Sequence, residues 1–280
     1  MFGVLCSLAA AVAYGAADFC GGLASRRTAM LAVVVLSQIV GLAVLLACRA
    51  FMPTRADGMD YVWGALAGLF GGVGIALLYH ALSIGKMGVV SPITAVLAAA
   101  LPLVAGVLRG ERLTLLQGIG IGVALVAIVL ISISTEENGT REIATAGVRE
   151  AIVSGLALGG FYICLAYPHQ RAGLDPLLAA RITSIVLLAL VGVVARTDFR
   201  PQRSSIGLIV LGGVLDMSAN ALYVLAAYAG YLSIAAVLTS LYPASTVFLA
   251  RVVLRERLQR SQWAGVALAL VGVALIAARV

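Results

Sequence analysis

The chain has 280 residues, of which 62% are hydrophobic and 11% charged, and its mean hydropathy is +1.09. Soluble domains carry about 25% charged residues, so this chain lacks the polar surface a soluble globule needs and reads as an integral membrane protein. The formal net charge is +7, but the basic residues fall as short knots between apolar runs: Arg26-Arg27, Arg109/Arg112, Arg196/Arg200/Arg203 and Arg255/Arg257/Arg260. Membrane-protein loops look like this, whereas a nucleic-acid site gathers its charge on one face, so no nucleic-acid partner is expected.

A membrane helix needs about 20 apolar residues to cross about 30 Å of hydrocarbon. Ten stretches qualify in chain order: 2–25, 29–49, 61–83, 88–108, 113–134, 148–167, 176–195, 205–228, 231–253 and 261–279. The first has no charged segment before it and reads as a retained helix, not a cleaved signal peptide. Cys6, Cys20, Cys48 and Cys164 all lie inside apolar runs, where they act as small membrane-helix residues and not as a disulfide or metal framework. The runs are continuous and do not alternate with period two, which argues against a β-barrel. The expected fold class is therefore all-α, with ten transmembrane helices.

The chain repeats itself. Arg109-Gly-Glu111-Arg112-Leu113 recurs as Arg255-Glu256-Arg257-Leu258, an offset of 145 residues (256 − 111). At that offset, without gaps, Gly85 falls on Gly230, Thr94 on Thr239, Gln117 on Gln262, Gly120 on Gly265 and Arg26 on Arg171. The expected organisation is a first five-helix repeat over 1–134, a polar linker over 135–147 containing Glu136, Glu137 and Glu142, and a second repeat over 148–280. Five spans per half is an odd number, so the second half enters the membrane from the opposite side. Inverted repeats of this kind belong mainly to secondary transporters, with the substrate site at mid-membrane where the halves meet.

With these residues the chain resembles the drug/metabolite transporter superfamily, and within it the EamA-type exporters. The positions that carry the likeness are Arg109-Gly-Glu111-Arg112-Leu113 with Gln117 and Gly120, and Tyr242-Pro243 before Arg255-Glu256-Arg257-Leu258 with Gln262 and Gly265. Two positions depart from the pattern: Arg255 stands before the second Glu where the family has Gly, and Ala98 stands opposite Pro243, the first half placing its proline at Pro102. The resemblance implies a ten-helix basket that exports small metabolites, amino acids and their relatives above all. A branch that exports aromatic amino acids lines its cavity with tryptophan. Trp63 and Trp263 lie near span ends here, so an aromatic substrate is not favoured.

Ionisable groups inside membrane spans are costly and usually face a cavity or a partner, which makes them site candidates. Asp18, in Ala17-Asp18-Phe19-Cys20-Gly21-Gly22, is the sharpest. Its setting is similar to the first helix of the small multidrug-resistance proteins, whose carboxylate is shared by protons and cationic substrate. Desolvation penalises the charged form of such a group and suits it to proton exchange. The alternative is an interfacial aspartate that caps or pairs near Arg26-Arg27. Asp216, Asn220 and Tyr223 share one face of the eighth span at i, i+4, i+7 and read as cavity lining or as an interhelical clamp.

His80 beside Tyr79 ends the third span. Histidine titrates between pH 5 and 8, and the resemblance to the aromatic amino-acid exporting branch, where a Tyr-His pair borders the cavity, supports a role; a plain interface residue is the alternative. Thr239, Tyr242 and Thr246 form a stripe in the ninth span beside Pro243, and the fourth span offers Ser91, Pro92, Thr94 and Pro102. Pro92, Pro102 and Pro243 are candidate hinges or helix breaks, since a proline frees a backbone carbonyl. Arg181 reads as an arginine that snorkels to the interface, with a hold on a substrate carboxylate as the alternative, and Gln38 and Tyr162 as further cavity candidates. Glu111 and Glu256 sit in turns and are expected to cap helices or pair with the flanking arginines.

No nucleophile elbow, zinc-protease motif, phosphate-binding loop or dinucleotide fingerprint is present, so neither an enzyme nor a nucleotide-driven pump is expected. The reading is a secondary active transporter of the cell inner membrane: a proton-coupled exporter of a small polar metabolite such as an amino acid or amine, working by alternating access. Its partners would be the small-molecule substrate and the lipid bilayer, as a monomer or homodimer. It would use no cofactor and no metal, with the proton gradient as driving force. A facilitative or import carrier, a multidrug or cation exporter, and a non-transporting assembly or lipid-handling subunit are the alternatives. An even number of spans puts both termini on one face, which receives 7 Lys/Arg against 12 on the other; the positive-inside rule then favours external termini.

Overall fold

The computed structural model describes residues 2–49, 55–108, 115–135, 141–143, 146–165, 167–228, 239, 241–256 and 258–277. Its helices are α1 (Phe2–Ser25), α2 (Met30–Arg49), α3 (Gly58–Ile84), α4 (Met87–Leu108), α5 (Leu115–Ser132), α6 (Val148–Leu165), α7 (Asp175–Val194), α8 (Arg203–Tyr228), α9 (Tyr242–Val253) and α10 (Arg260–Ala277). Six of these are long and apolar enough to cross a membrane, among the described residues, and Met87–Ala98 and Trp263–Leu275 are shorter apolar helices. The expected span over 231–253 is described from Thr239 onward. Arg109, Glu111, Arg112 and Arg257 lie outside the described residues.

Two boundaries correct the sequence reading. At the polar linker Ile133–Thr135 (β1) pairs antiparallel with Arg141–Ile143 (β2), Ile133 opposite Ile143, both strands containing β-branched residues. The third helix begins at Gly58, three residues earlier than expected, because Asp57 accepts from the Met59 and Asp60 N–H groups while the Asp60 carboxylate accepts from Asp57. This capping box satisfies donors that a helix start otherwise leaves open.

Between helices in lipid the driving force is close packing, so interfaces favour small residues. Gly64, Gly68 and Gly72, spaced by four along α3, lie against Pro176, Ala180 and Ser184 of α7. Gly155 and Gly159 of α6 lie against Thr94, Leu97 and Leu101 of α4, and Gly213 of α8 against Ser37 and Val40 of α2. Hydroxyls add hydrogen bonds across these seams. The Thr94 hydroxyl donates to the Ala151 carbonyl of α6 (3.2 Å), and its repeat mate Thr239 donates to the Ser7 carbonyl of α1 (3.5 Å).

The helix pairings follow the repeat. α1 packs on α8 as α6 packs on α3, α9 packs on α1 as α4 packs on α6, and α8 packs on α2 as α3 packs on α7. α2 against α7 and α5 against α10 are contacts between equivalent helices, so they straddle the pseudo-two-fold axis. The connections sort into two ends. Arg55 N–H meets the Arg171 carbonyl (2.9 Å) at what we call the near end. At the far end Arg26 reaches the Gly85 carbonyl, Gln202 N–H reaches Thr28, and Glu256 reaches the start of α4.

The seam between α3 and α7 gives a stability contrast. In Gly68→Ala the new Cβ would lie 2.4 Å from the Ala180 carbonyl oxygen, so the detergent melting temperature should fall by the equivalent of ~1–3 kcal/mol of overpacking. Gly118→Ala, on α5 with nothing within 4 Å of the new methyl, should leave it unchanged or slightly raised. Equal losses at the two sites would contradict a tight α3–α7 seam.

Candidate functional site

Three helices meet through one guanidinium. Arg181, on the second turn of α7, donates through Nη1 to Gln38 Oε1 of α2 and through Nη2 to Asp216 Oδ2 of α8. The Arg181 and Asp216 side chains are 12% and 23% exposed. Arg181 therefore does not snorkel. Gly41 of α2 leaves room beside the inward-pointing guanidinium, which needs its partners because a buried guanidinium without them would be strongly unfavourable. Asn220, four residues beyond Asp216, donates its amide to the Asp216 backbone carbonyl (2.8 Å) and so stiffens α8 at that point.

Asp18 of α1 is 8% exposed and lies within electrostatic reach of Asp216. Among the described residues no side chain or backbone group forms a hydrogen bond or ion pair with it. Tyr79 (α3), Tyr162 (α6) and Tyr242 (α9) lie within electrostatic reach of Asp18, and Tyr14 (α1), Tyr79 and Tyr162 within reach of Asp216. Tyr223 of α8 is coupled to Tyr14 and Tyr162, and the Tyr14 and Tyr242 rings meet edge-on at 6.3 Å. One carboxylate and one ion pair thus lie within electrostatic reach of phenols from four helices, α1, α3, α6 and α9, with Tyr223 of α8 in reach of two of those phenols. Exposure rises from Tyr79 (2%) to Tyr162 (46%), and Tyr162 lies on the last turn of α6, toward the near end.

Asp18, Asp216, Gln38, Tyr79, Tyr162, Tyr223 and Tyr242 thus share one region. His80 sits one residue past Tyr79, which turns it about 100° round the helix and leaves it half-buried, its carbonyl accepting from the Ser83 hydroxyl. Thr239 is a helix–helix link to α1, as is Thr246, whose hydroxyl donates to the Gly15 carbonyl (3.1 Å). Pro92 interrupts nothing: α4 runs unbroken through both Pro92 and Pro102. Pro243 stands in the first turn of α9, where a missing N–H leaves no bond unmade. Glu256 caps α4, accepting from the Met87 (3.1 Å) and Gly88 (3.2 Å) N–H groups, and pairs with Arg26 at 3.6 Å; its arginine partner is in the α1–α2 connection and not beside it in sequence.

Two features lay beyond the sequence reading. Tyr14 was legible in principle, since it stands four residues before Asp18 on the same helix face. The second is a polar cluster at the near end, where Asp60 and Asp175 are buried. Asp175 accepts from Arg49 Nε and from the Tyr61 hydroxyl, and Asp60 accepts from the His169 N–H. Asp57, Asp60 and His169 present ligand atoms within 4.8 Å of one another. Their oxygens already accept backbone N–H groups and His169 Nδ1 lies 3.1 Å from Asp60, so the trio ties α3 to the α6–α7 connection.

Residues 1–133 and 147–278 match the EamA-like transporter family. No curated protein matches the chain. Among 16 matching chains of known structure, one described as "Crystal structure of protein" is 18% identical, covers 95% of each chain and superposes with a TM-score of 0.62, which shows a shared fold.

A double-mutant cycle tests the buried pair. Arg181→Met and Asp216→Leu should each lower stability in detergent by ~3–5 kcal/mol, because each leaves an unanswered buried charge, while the double replacement should recover most of the loss. Additive losses would mean that the two groups do not answer each other.

Proposed function

The chain belongs to the EamA-like transporter family, and we propose that it is a secondary carrier that exchanges protons for a small polar metabolite at the Asp18 site. The observation that carries this reading is the charge arrangement. Arg181 and Asp216 answer one another, so Asp18 is left as a carboxylate without a partner among the described residues, 8% exposed and facing phenol rings. A proton or the ammonium group of an amine or amino acid can satisfy such a carboxylate, but not both together. Competition for one group is a sufficient coupling device, because proton and ligand then bias the same equilibrium in opposite directions. The aromatic walls add cation–π attraction for an ammonium group.

The two-repeat fold supplies the movement. Ten membrane helices in two oppositely directed halves would rock about the pairs α2–α7 and α5–α10, exposing Asp18 to the near and far ends in turn. The count of Lys/Arg favours a far end on the cytoplasmic side of a cell inner membrane. The proton gradient would then drive the metabolite outward while the proton returns through Asp18.

Transport in proteoliposomes checks the reading. A pool of amino acids and primary amines is offered with and without an imposed pH gradient. The wild-type chain should accumulate at least one compound in response to the gradient. Asp18→Asn should weaken that response ~5–150-fold, the span of a ~1–3 kcal/mol coupling free energy, and Asp18→Glu should retain part of it. Unchanged pH dependence in Asp18→Asn would remove Asp18 from the coupling.

A further inference from the structure

The repeat places two corners of the bundle in equivalent positions, and they are built from different chemistry. The near corner joins the end of α2 and the start of α3 to the α6–α7 connection and the start of α7. Its counterpart, the far corner, joins the end of α7 and the start of α8 to the α1–α2 connection and the start of α2. In the near corner Asp175 accepts from Arg49 and from the Tyr61 hydroxyl (3.2 Å), Asp60 accepts from the His169 N–H (2.9 Å), Arg55 N–H bonds the Arg171 carbonyl (2.9 Å), and the Trp63 and Tyr167 rings stack at 4.0 Å.

A shift of 145 residues gives the far-corner counterparts. Arg49 becomes Val194, Tyr61 Ile206, Trp63 Leu208, Asp175 Met30, His169 Ala24 and Tyr167 Gly22. Asp60 becomes Ser205, whose buried hydroxyl has no partner. Among the described residues the one hydrogen bond across this corner runs from Gln202 N–H to the Thr28 hydroxyl (3.2 Å). The charges differ in the same sense. The near corner's connections carry Arg49, Arg55 and Arg171 with Asp57, Asp60 and Asp175, whereas the far corner's carry Arg26, Arg27, Arg196, Arg200 and Arg203 with Asp198 alone in their own segments, Arg26 finding its acid in Glu256 beyond the corner.

Separating the near corner would strand two buried carboxylates, which is strongly unfavourable. Separating the far corner breaks one hydrogen bond and exposes apolar side chains, and it leaves no buried carboxylate unanswered. We infer that the near corner is the fixed pivot of the conformational cycle and the far corner is the joint that opens, so the two halves do not rock symmetrically. This inference rests on the carrier reading for its purpose, but its geometry can be tested without a substrate.

Hydrogen–deuterium exchange of the full chain in lipid nanodiscs, followed by mass spectrometry, reads the two corners directly. Peptides covering 30–34 and 203–207 should exchange on the order of tenfold faster than those covering 58–62 and 175–179, all being helix starts that differ in their tethers. Equal or reversed rates overturn the inference. Disulfides supply the second measurement, in a chain whose four native cysteines are replaced by serine. Linking Thr28→Cys to Gln202→Cys should stop transport until reductant is added, while linking Arg55→Cys to Arg171→Cys should leave the rate within about twofold. A block by the near-corner link, or free transport with the far corner locked, overturns the inference. If the exchange pattern holds while the unlinked protein carries none of the compounds offered, the carrier reading fails and the pivot stands.

Discussion

A guanidinium buried between membrane helices has to be answered by side chains, because the hydrocarbon around it supplies none. Arg181 is answered from α2 by Gln38 and from α8 by Asp216, and that requirement orients three helices at once. It sets which face of α7 looks inward, and it holds the Asp216 carboxylate where Asp18, Tyr14 and Tyr79 feel its charge. It also consumes the positive charge of the region. Asp18 is thereby left as a buried carboxylate without a partner among the described residues.

The fold was legible in the sequence to the extent that it rests on apolar length and on repetition. Thr94 and Thr239, 145 residues apart, bond the carbonyls of α6 and α1 in corresponding places, as an offset without gaps implies. The site was legible where a charge interrupts an apolar run, as at Asp18 and Asp216. Periodicity could not show who answers whom. Arg181 reads as an interfacial arginine because a side chain of that length reaches either the membrane surface or the interior, and the choice depends on Gly41, Gln38 and Asp216 on other helices. The near-end cluster was hidden for a related reason. Asp57, Asp60, His169 and Asp175 fall at span boundaries, where polar residues are ordinary, and their importance comes from two connections 100 residues apart in the chain meeting in space.

Close packing and polar bonding divide the work between them. The seams that run along the helices, such as α3 with α7 and α6 with α4, are made mainly of glycine in close contact with the facing helix, with single hydroxyl bonds such as Thr94 to Ala151 added to them. The ends are held by directional contacts, among them Glu256, which reaches from the second half to cap α4 of the first and pair with Arg26. The turn that carries the family's signature is in this sense a fastening between halves, which explains why its carboxylate stands away from the central region.

The pseudo-symmetry stops at the centre. The repeat mates of Asp18, Gln38, Arg181 and Asp216 are Ile163, Thr183, Leu36 and Gly71, and those of Tyr14, Tyr79, Tyr162 and Tyr242 are Gly159, Val224, Ala17 and Leu97. Two separate copies of a single repeat could not produce this arrangement, because every charge placed in the middle would arrive twice. Two copies of an Asp18 would face each other across the axis and repel, and the region would hold an even number of exchangeable protons. Joining both repeats in one chain removes that arithmetic. It allows the centre to hold Asp18 once and the Arg181–Asp216 pair once, with no second copy of either across the axis.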